Sequence, residues 1–253
     1  MLERRALAAP APPALALSAH GFDIIAEMKL RSPAVGALAT AAREDIAARV
    51  QSYATAGAAA VSVLTEPSRF DGSLDHLAQA TAALAPARVP AMRKDFLVDP
   101  YQVLEARAAG AGGVLVILRM LSRAQNAALI DAAAGLGLFV LLEAFDEADL
   151  DLAGELAAGT SARVLVGLNC RDLATLEVVP GRLEALAPRL PRKWPRVAES
   201  GLDDVADAAR IAAAGYDLAL IGSALMKHAS PGALLRDMLA AGRGAQGQRH
   251  SHA

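Results

Sequence analysis

The chain has 253 residues, 54% hydrophobic and 21% charged, with 25 basic against 27 acidic side chains and a net charge of −2. That balance, with no basic block beyond MLERR and PRKWPR, argues against a nucleic-acid surface and toward a small-molecule partner. A single cysteine excludes an intramolecular disulfide and points to a reducing, cytoplasmic compartment, and no apolar run reaches membrane-spanning length without Gly, Pro or a charge.

In chain order, residues 1–21 come first. Arginines followed by apolar residues imitate a secretory signal, but Pro10, Pro12 and Pro13 interrupt it, and a loosely structured arm is expected. From 22 to 241 short β-branched runs alternate with longer helical patterns. The runs are DIIAEMK, AAVSVLT, VPAMRK, GVLVIL, FVLLEA, RVLVGLN, RVAES and DLALIG. Between them lie amphipathic stretches such as REDIAARVQSYATAG, DPYQVLEARAAGA and LDDVADAARIAAAG, several opening on Asp or Ser and closing on Gly. Strict alternation implies parallel pairing with right-handed crossovers, and eight units suit a single-domain α/β fold, the (β/α)8 TIM barrel. An open doubly wound sheet would need a glycine-rich loop after the first strand, and EMKLRSPAVG is not one. The last segment, 242–253, is Gly- and Gln-rich and is expected to be a disordered tail.

In such barrels the C-terminal ends of the strands carry the chemistry. The chain has only four lysines, and two of them, Lys29 and Lys94, end strand runs, as do Glu27, Glu143, Asn169 and Glu199. A charge on a segment buried on both faces must reach a cavity or a partner. Lys94 stands beside Arg93. Burial and a cationic neighbour lower the pKa of a lysine and fit it for proton transfer, whereas arginine stays protonated; a structural pairing of Lys94 with Glu27 or Glu143 is the alternative. Glu27 and Lys29 lie two residues apart and share one strand face, which also allows a plain ion pair. Glu143 ends FVLLE, where desolvation suits a carboxyl to proton transfer. Asn169 offers a neutral donor and acceptor, with Arg171 two positions on able to hold a carboxylate; loop anchoring is the alternative for both. Ser32, in the turn after the first strand, is available to an anion. Gly201, Gly222 and Ser223, after the seventh and eighth strands, sit where barrels bind phosphate. Cys170 reads as a small loop residue. His20, His76 and His228 have no ligand spacing, so no metal is expected.

The segments IIAEMKLRSPAVG, VSVLTEPSRFDGSLDHL, PAMRKDFLVDPYQVLEARAAGA, GLFVLLEAFDEADL, VGLNCRDLATLEV, AESGL and LIGSALMK, in order from about residue 22 to about 240, resemble the indole-3-glycerol phosphate synthase family of tryptophan biosynthesis. The resemblance implies a TIM barrel that converts 1-(o-carboxyphenylamino)-1-deoxyribulose 5-phosphate to indole-3-glycerol phosphate, losing carbon dioxide and water, with no cofactor. It implies Lys94 as general acid promoting ring closure, Lys29 assisting it and holding the substrate carboxylate, Glu143 in proton transfer during dehydration, and Glu27 and Asn169 as positioning groups. By the same resemblance Glu199 and Ser200 would line the pocket, Arg171 would contact polar substrate groups, Phe96 and Leu118 would border the aromatic ring, and Ser32, Gly201, Gly222 and Ser223 would hold the phosphate.

The chain also departs from the family pattern. Its N-terminal arm is shortened where the family carries a longer helical arm over the barrel mouth, and three prolines disfavour a regular helix there. Phe145 stands where histidine is common, Cys170 where Asn or Ser is, and Leu176 where Phe is. These departures bear on the lid and the aryl pocket. They keep open a paralogue that closes the ring on a modified aryl substrate in a specialised pathway. A catalytically silent phosphate-binding regulatory subunit is a further alternative, disfavoured by the two lysines at barrel-facing strand ends. The expected partner is a phosphorylated small molecule, with the protein a monomer or weak homo-oligomer.

Overall fold

The structure, a computed structural model, describes residues 1–19, 21–34, 36–39 and 44–250; His20 lies outside them. The eight apolar runs form eight parallel strands, β1 (Asp23–Met28), β2 (Ala60–Leu64), β3 (Ala91–Lys94), β4 (Gly113–Ile117), β5 (Phe139–Ala144), β6 (Val164–Asn169), β7 (Arg196–Glu199) and β8 (Leu218–Ile221). Each pairs with its sequence neighbour, and β8 pairs with β1 to close the barrel. Closure removes every edge, so the backbone groups of these hydrophobic runs are satisfied without water.

Alternate residues of each strand face opposite ways. One set, including Val61, Val114, Val140 and Val166, packs in a large cluster with helix residues such as Val50, Leu77, Leu129 and Ile211. The other set fills the barrel interior with Ile25, Met92, Leu115, Leu141, Leu165, Val197 and Leu220. The same parity carries Glu27, Lys94, Glu143, Asn169 and Glu199 into the interior, one step nearer the C-terminal rim.

The crossover helices begin where their sequences say they should. Asp45, Ser73 and Asp146 accept hydrogen bonds from the first-turn N–H groups of the helices they precede, and Asp99, Ser122 and Asp204 form reciprocal capping boxes with Gln102, Gln125 and Asp207. Each such cap contributes about 1 kcal/mol. Gly57 and Gly215 end their helices in the left-handed conformation at φ +101° and +108°, where a Cβ is disfavoured.

Both chain ends differ from expectation. Within the arm, α1 (Leu2–Ala8) is a regular helix that finishes before the three prolines and packs on the helix Pro100–Ala108. Arg107 of that helix donates to the Ala9 carbonyl, and the extended stretch beyond inserts Leu15 among interior residues such as Ile25, Met92 and Phe139. The prolines end the helix without loosening the arm, because an extended chain tolerates them. Pro12 and Pro13 lie against Gly112, just before β4, so the arm runs under the N-terminal end of the barrel rather than over its mouth. The segment expected to be a disordered tail is helical to His250, in a helix that starts at Pro231. Gly242 lets Phe22 pack against this helix, Arg243 donates to the Phe22 carbonyl and to Asp23, and Gln246 donates to the Tyr216 carbonyl. Those tertiary contacts override the weak helix propensity of its glycines.

Candidate active site

Residues at the C-terminal rim surround one cavity of about 600 Å³. At its floor, Lys94 extends from the end of β3 into a ring of carboxylates on other strands. Its Nζ lies 3.3 Å from Glu199 Oε2, and 4.0 Å from both Glu27 Oε2 and Glu143 Oε1. Lys29, two residues beyond Glu27, turns back to place its Nζ 2.7 Å from Glu27 Oε1. Asn169 donates from Nδ2 to Glu143 Oε1 and accepts the Arg171 N–H on Oδ1 at 2.8 Å, which fixes its amide orientation and aims Glu143. The Arg171 guanidinium is tied to the Leu176 carbonyl at 2.7 Å.

Two glycines make room for this ring. A Cβ on Gly222 would stand 2.2 Å from Glu27 Oε1, and one on Gly167 would stand 2.1 Å from Glu199 Oε1. Gly222 therefore admits a carboxylate as well as lining the region assigned to phosphate. The loop after β7 is held in an uncommon shape, with Ser200 at φ +69° and Gly201 at φ +64°. Cys170 pins it, its N–H donating to the Glu199 carbonyl and its thiol to that of Ser200.

The electrostatics correct one expectation. Burial does pull the Lys94 ammonium downward, but Glu143, Glu199 and Glu27 outweigh it and hold the pKa above that of an ordinary lysine. Arg93 is not among the leading influences on it, because the next residue of a strand faces the other side of the sheet. Burial likewise pushes Glu27 up, yet Lys29 and Lys94 more than offset it and keep it a carboxylate. Glu199 goes the other way: burial, reinforced by Glu143, pushes its carboxyl up to about 8 against the pull of Lys94. Its Oε1 is buried without a hydrogen-bond partner among the described residues, leaving a position for the proton. The floor thus holds an ammonium and a carboxyl of raised pKa beside ionised Glu27, so groups able to give and to take a proton converge on one space.

The walls divide by chemistry. Ser32, Ser200, Gly201, Gly222 and Ser223 line the cavity together, and Gly222 caps the short helix Ser223–Lys227. The apolar wall comprises Phe96, Phe70, Leu115, Ile117, Leu173 and Leu176, with the Phe70 and Phe96 rings tilted at 49° and 6.3 Å between centroids. Every residue given a catalytic, substrate-binding or phosphate-binding role from the sequence lines this cavity except Leu118. Leu118 is fully buried in the helix-facing cluster, because Leu115 and Ile117 take the inward parity of β4, and its carbonyl accepts from Asn126. Phe70, Leu115, Ile117 and Leu173 are wall residues that the sequence reading does not name; strand parity finds Leu115 and Ile117, whereas Phe70 and Leu173 lie outside the barrel strands. Phe145 is 1% exposed beneath the Arg119 guanidinium, 4.5 Å from its ring, and is no part of the wall.

Comparison with known proteins gives a consistent result. Residues 8–238 match the family described as indole-3-glycerol phosphate synthase. A protein of that name from Mycobacterium leprae (strain Br4923) is 43% identical over 243 residues, covering 95% of this chain and 86% of its own. One from Mycobacterium tuberculosis (strain CDC 1551 / Oshkosh) is 42% identical over the same shares. Among solved structures, the thiamine phosphate pyrophosphorylase from Pyrococcus furiosus superposes with a TM-score of 0.63 at 13% identity, over 89% of this chain and 96% of that one. The 3-hexulose-6-phosphate synthase from Salmonella typhimurium gives 0.63 at 14%, over 90% and 100%. At such identities these two share the fold alone.

Proposed function

The chain belongs to the indole-3-glycerol phosphate synthase family, and on that premise we propose that the rim cavity closes the indole ring of 1-(o-carboxyphenylamino)-1-deoxyribulose 5-phosphate. The observation that carries this reading is the convergence of Lys94 with Glu27, Glu143 and Glu199, all within 4.0 Å, between an apolar wall and a serine- and glycine-lined corner.

The phosphate end anchors at Ser32, Gly201, Gly222 and Ser223, and the aryl ring lies along Phe96, Ile117 and Leu176. Remote binding energy at both ends holds the ring carbon against the ketone. As the carbon–carbon bond forms, Lys94 gives its proton to the ketone oxygen, which becomes a hydroxyl. The carboxyl group, kept by Lys29 until this step, leaves as carbon dioxide and returns its bonding pair to the ring. The hydroxyl then departs as water with a proton from the lysine side of the pocket, while Glu143, aimed by Asn169, removes the proton whose loss completes the indole. Arg171 contacts the polar groups between the two ends. Glu27 holds Lys29 and Lys94 in place. The reaction draws on a phosphorylated small molecule alone, and a monomer or weak homo-oligomer working in the cytoplasm suffices for it.

Leu176 in the aryl wall supports a second reading, in which the ring closure acts on a bulkier, modified aryl group. Purified protein is given the unsubstituted substrate and indole fluorescence is followed. Turnover supports the first reading. Turnover only with a ring-substituted substrate selects the second, and phosphate-ester binding with no turnover of either selects a silent binding subunit.

A further inference from the structure

Arg93 neighbours Lys94 in sequence but points away from the cavity, into the layer between strands and helices, where it is 4% exposed. Burying a guanidinium is costly unless its donors are matched, and a hydrocarbon of similar size would usually fill such a place at less cost. Here every nitrogen of the fork has an acceptor. Nε meets Thr65 Oγ1 at 3.1 Å, Nη2 meets Asp95 Oδ2 at 2.9 Å, and Nη1 reaches the Gln102 carbonyl at 2.8 Å and Glu105 Oε2 at 3.1 Å.

The partners belong to three different pieces of the rim. Thr65 directly follows β2 and its N–H donates to the Lys94 carbonyl at 3.0 Å. Asp95 follows Lys94, accepts from the Thr65 hydroxyl, and with its other oxygen accepts the Phe96 N–H at 2.8 Å. Gln102 and Glu105 lie on the helix Pro100–Ala108. The backbone on both sides of Lys94 is therefore bolted to β2 and to that helix through one planar cation. A lysine could not reach all these acceptors at once.

Resting on the reading given under Proposed function, we infer that Arg93 is a positioning residue for the ring closure: its buried fork fixes the end of β3 so that Lys94 and the aryl-wall residue Phe96 meet the substrate in register. Arg93 itself touches no substrate. Misplacing a proton donor by a fraction of an ångström weakens the transition state more than the ground state, so the loss falls on kcat rather than KM.

Arg93→Met, Arg93→Lys and Thr65→Val are assayed beside the unaltered protein at a temperature well below every melting point. The expected result is a fall in kcat of about thirtyfold for Arg93→Met with KM within about threefold, partial recovery in Arg93→Lys, and a fall of about threefold in kcat for Thr65→Val. Should Arg93→Met fail to fold, Thr65→Val decides alone, since it removes one hydroxyl without unpairing a buried charge. Unaltered kcat in folded Arg93→Met, or in Thr65→Val where that variant decides, overturns the inference, as does a loss that appears only in KM or tracks the unfolded fraction. Absence of turnover in the unaltered protein would instead sink the functional reading beneath it.

Discussion

Two layers of the barrel interior, built on the same strands, do opposite work. Ile25, Met92, Leu141, Leu165 and Val197 form an apolar layer, whereas Glu27, Lys94, Glu143, Asn169 and Glu199 stand two or four residues further along. Two residues of strand amount to about 7 Å, so the interior passes from hydrocarbon to charge within a side-chain length. The lower layer gains free energy from burial and asks nothing of its neighbours beyond shape. The upper layer pays in desolvation for every charge and survives because each ion finds an opposite partner. Stability and chemistry are thus stacked along the strands, and a substitution in one layer should leave the other nearly untouched.

Glu143→Gln gives the largest separation. It keeps the shape and one hydrogen bond to Asn169 but removes the proton acceptor, so kcat should fall about a thousandfold, within the usual span for an acid or base, while the melting temperature changes little. Steady-state kinetics beside a thermal melt checks both halves.

Leu165→Ala should do the reverse. Deleting a fully buried side chain from the apolar layer costs about 3 kcal/mol of unfolding free energy, read by denaturant titration, with kcat per folded molecule staying within about threefold.

The third separation is a pH dependence. Glu199 has its carboxyl raised by burial and Glu143 from 4.5 to about 8. A raised pKa contributes nothing against folding below 4.5, where both states hold the proton. Stability is then lost as pH rises through about 8, because the unfolded chain ionises first. Glu199→Gln cannot ionise. Its stability relative to the unaltered protein should be nearly equal at pH 4 and higher at pH 8; a constant difference would show that this carboxyl is an ordinary one.

Much of this two-layer arrangement is legible in the sequence, for a physical reason. A strand buried on both faces must be nearly all apolar, so a lysine or glutamate at its end advertises a cavity, and residues two apart share a side. The strands and the charged floor followed from that alone. Resemblance puts Leu118 beside the aryl ring, and parity sends it to the helices. Arg93 adjoins Lys94 in the chain and suggests a cationic neighbour, whereas the three carboxylates that govern it come from other strands. The ends escaped for a similar reason: prolines and glycines signal weak local preference, and it is Leu15 in the barrel floor and Arg243 on Asp23 that order them.

The charge at position 94 serves the fold, and its proton serves the reaction. Lys94→Arg separates the two, since a guanidinium keeps the positive charge among Glu27, Glu143 and Glu199 but does not give up a proton. Followed by indole fluorescence with the carboxyphenylamino-deoxyribulose phosphate, the variant is expected to fold, to bind phosphate esters as the unaltered protein does, and to lose at least a hundredfold in kcat. Turnover within a few-fold of the unaltered protein would show that the side chain at position 94 gives no proton to the reaction.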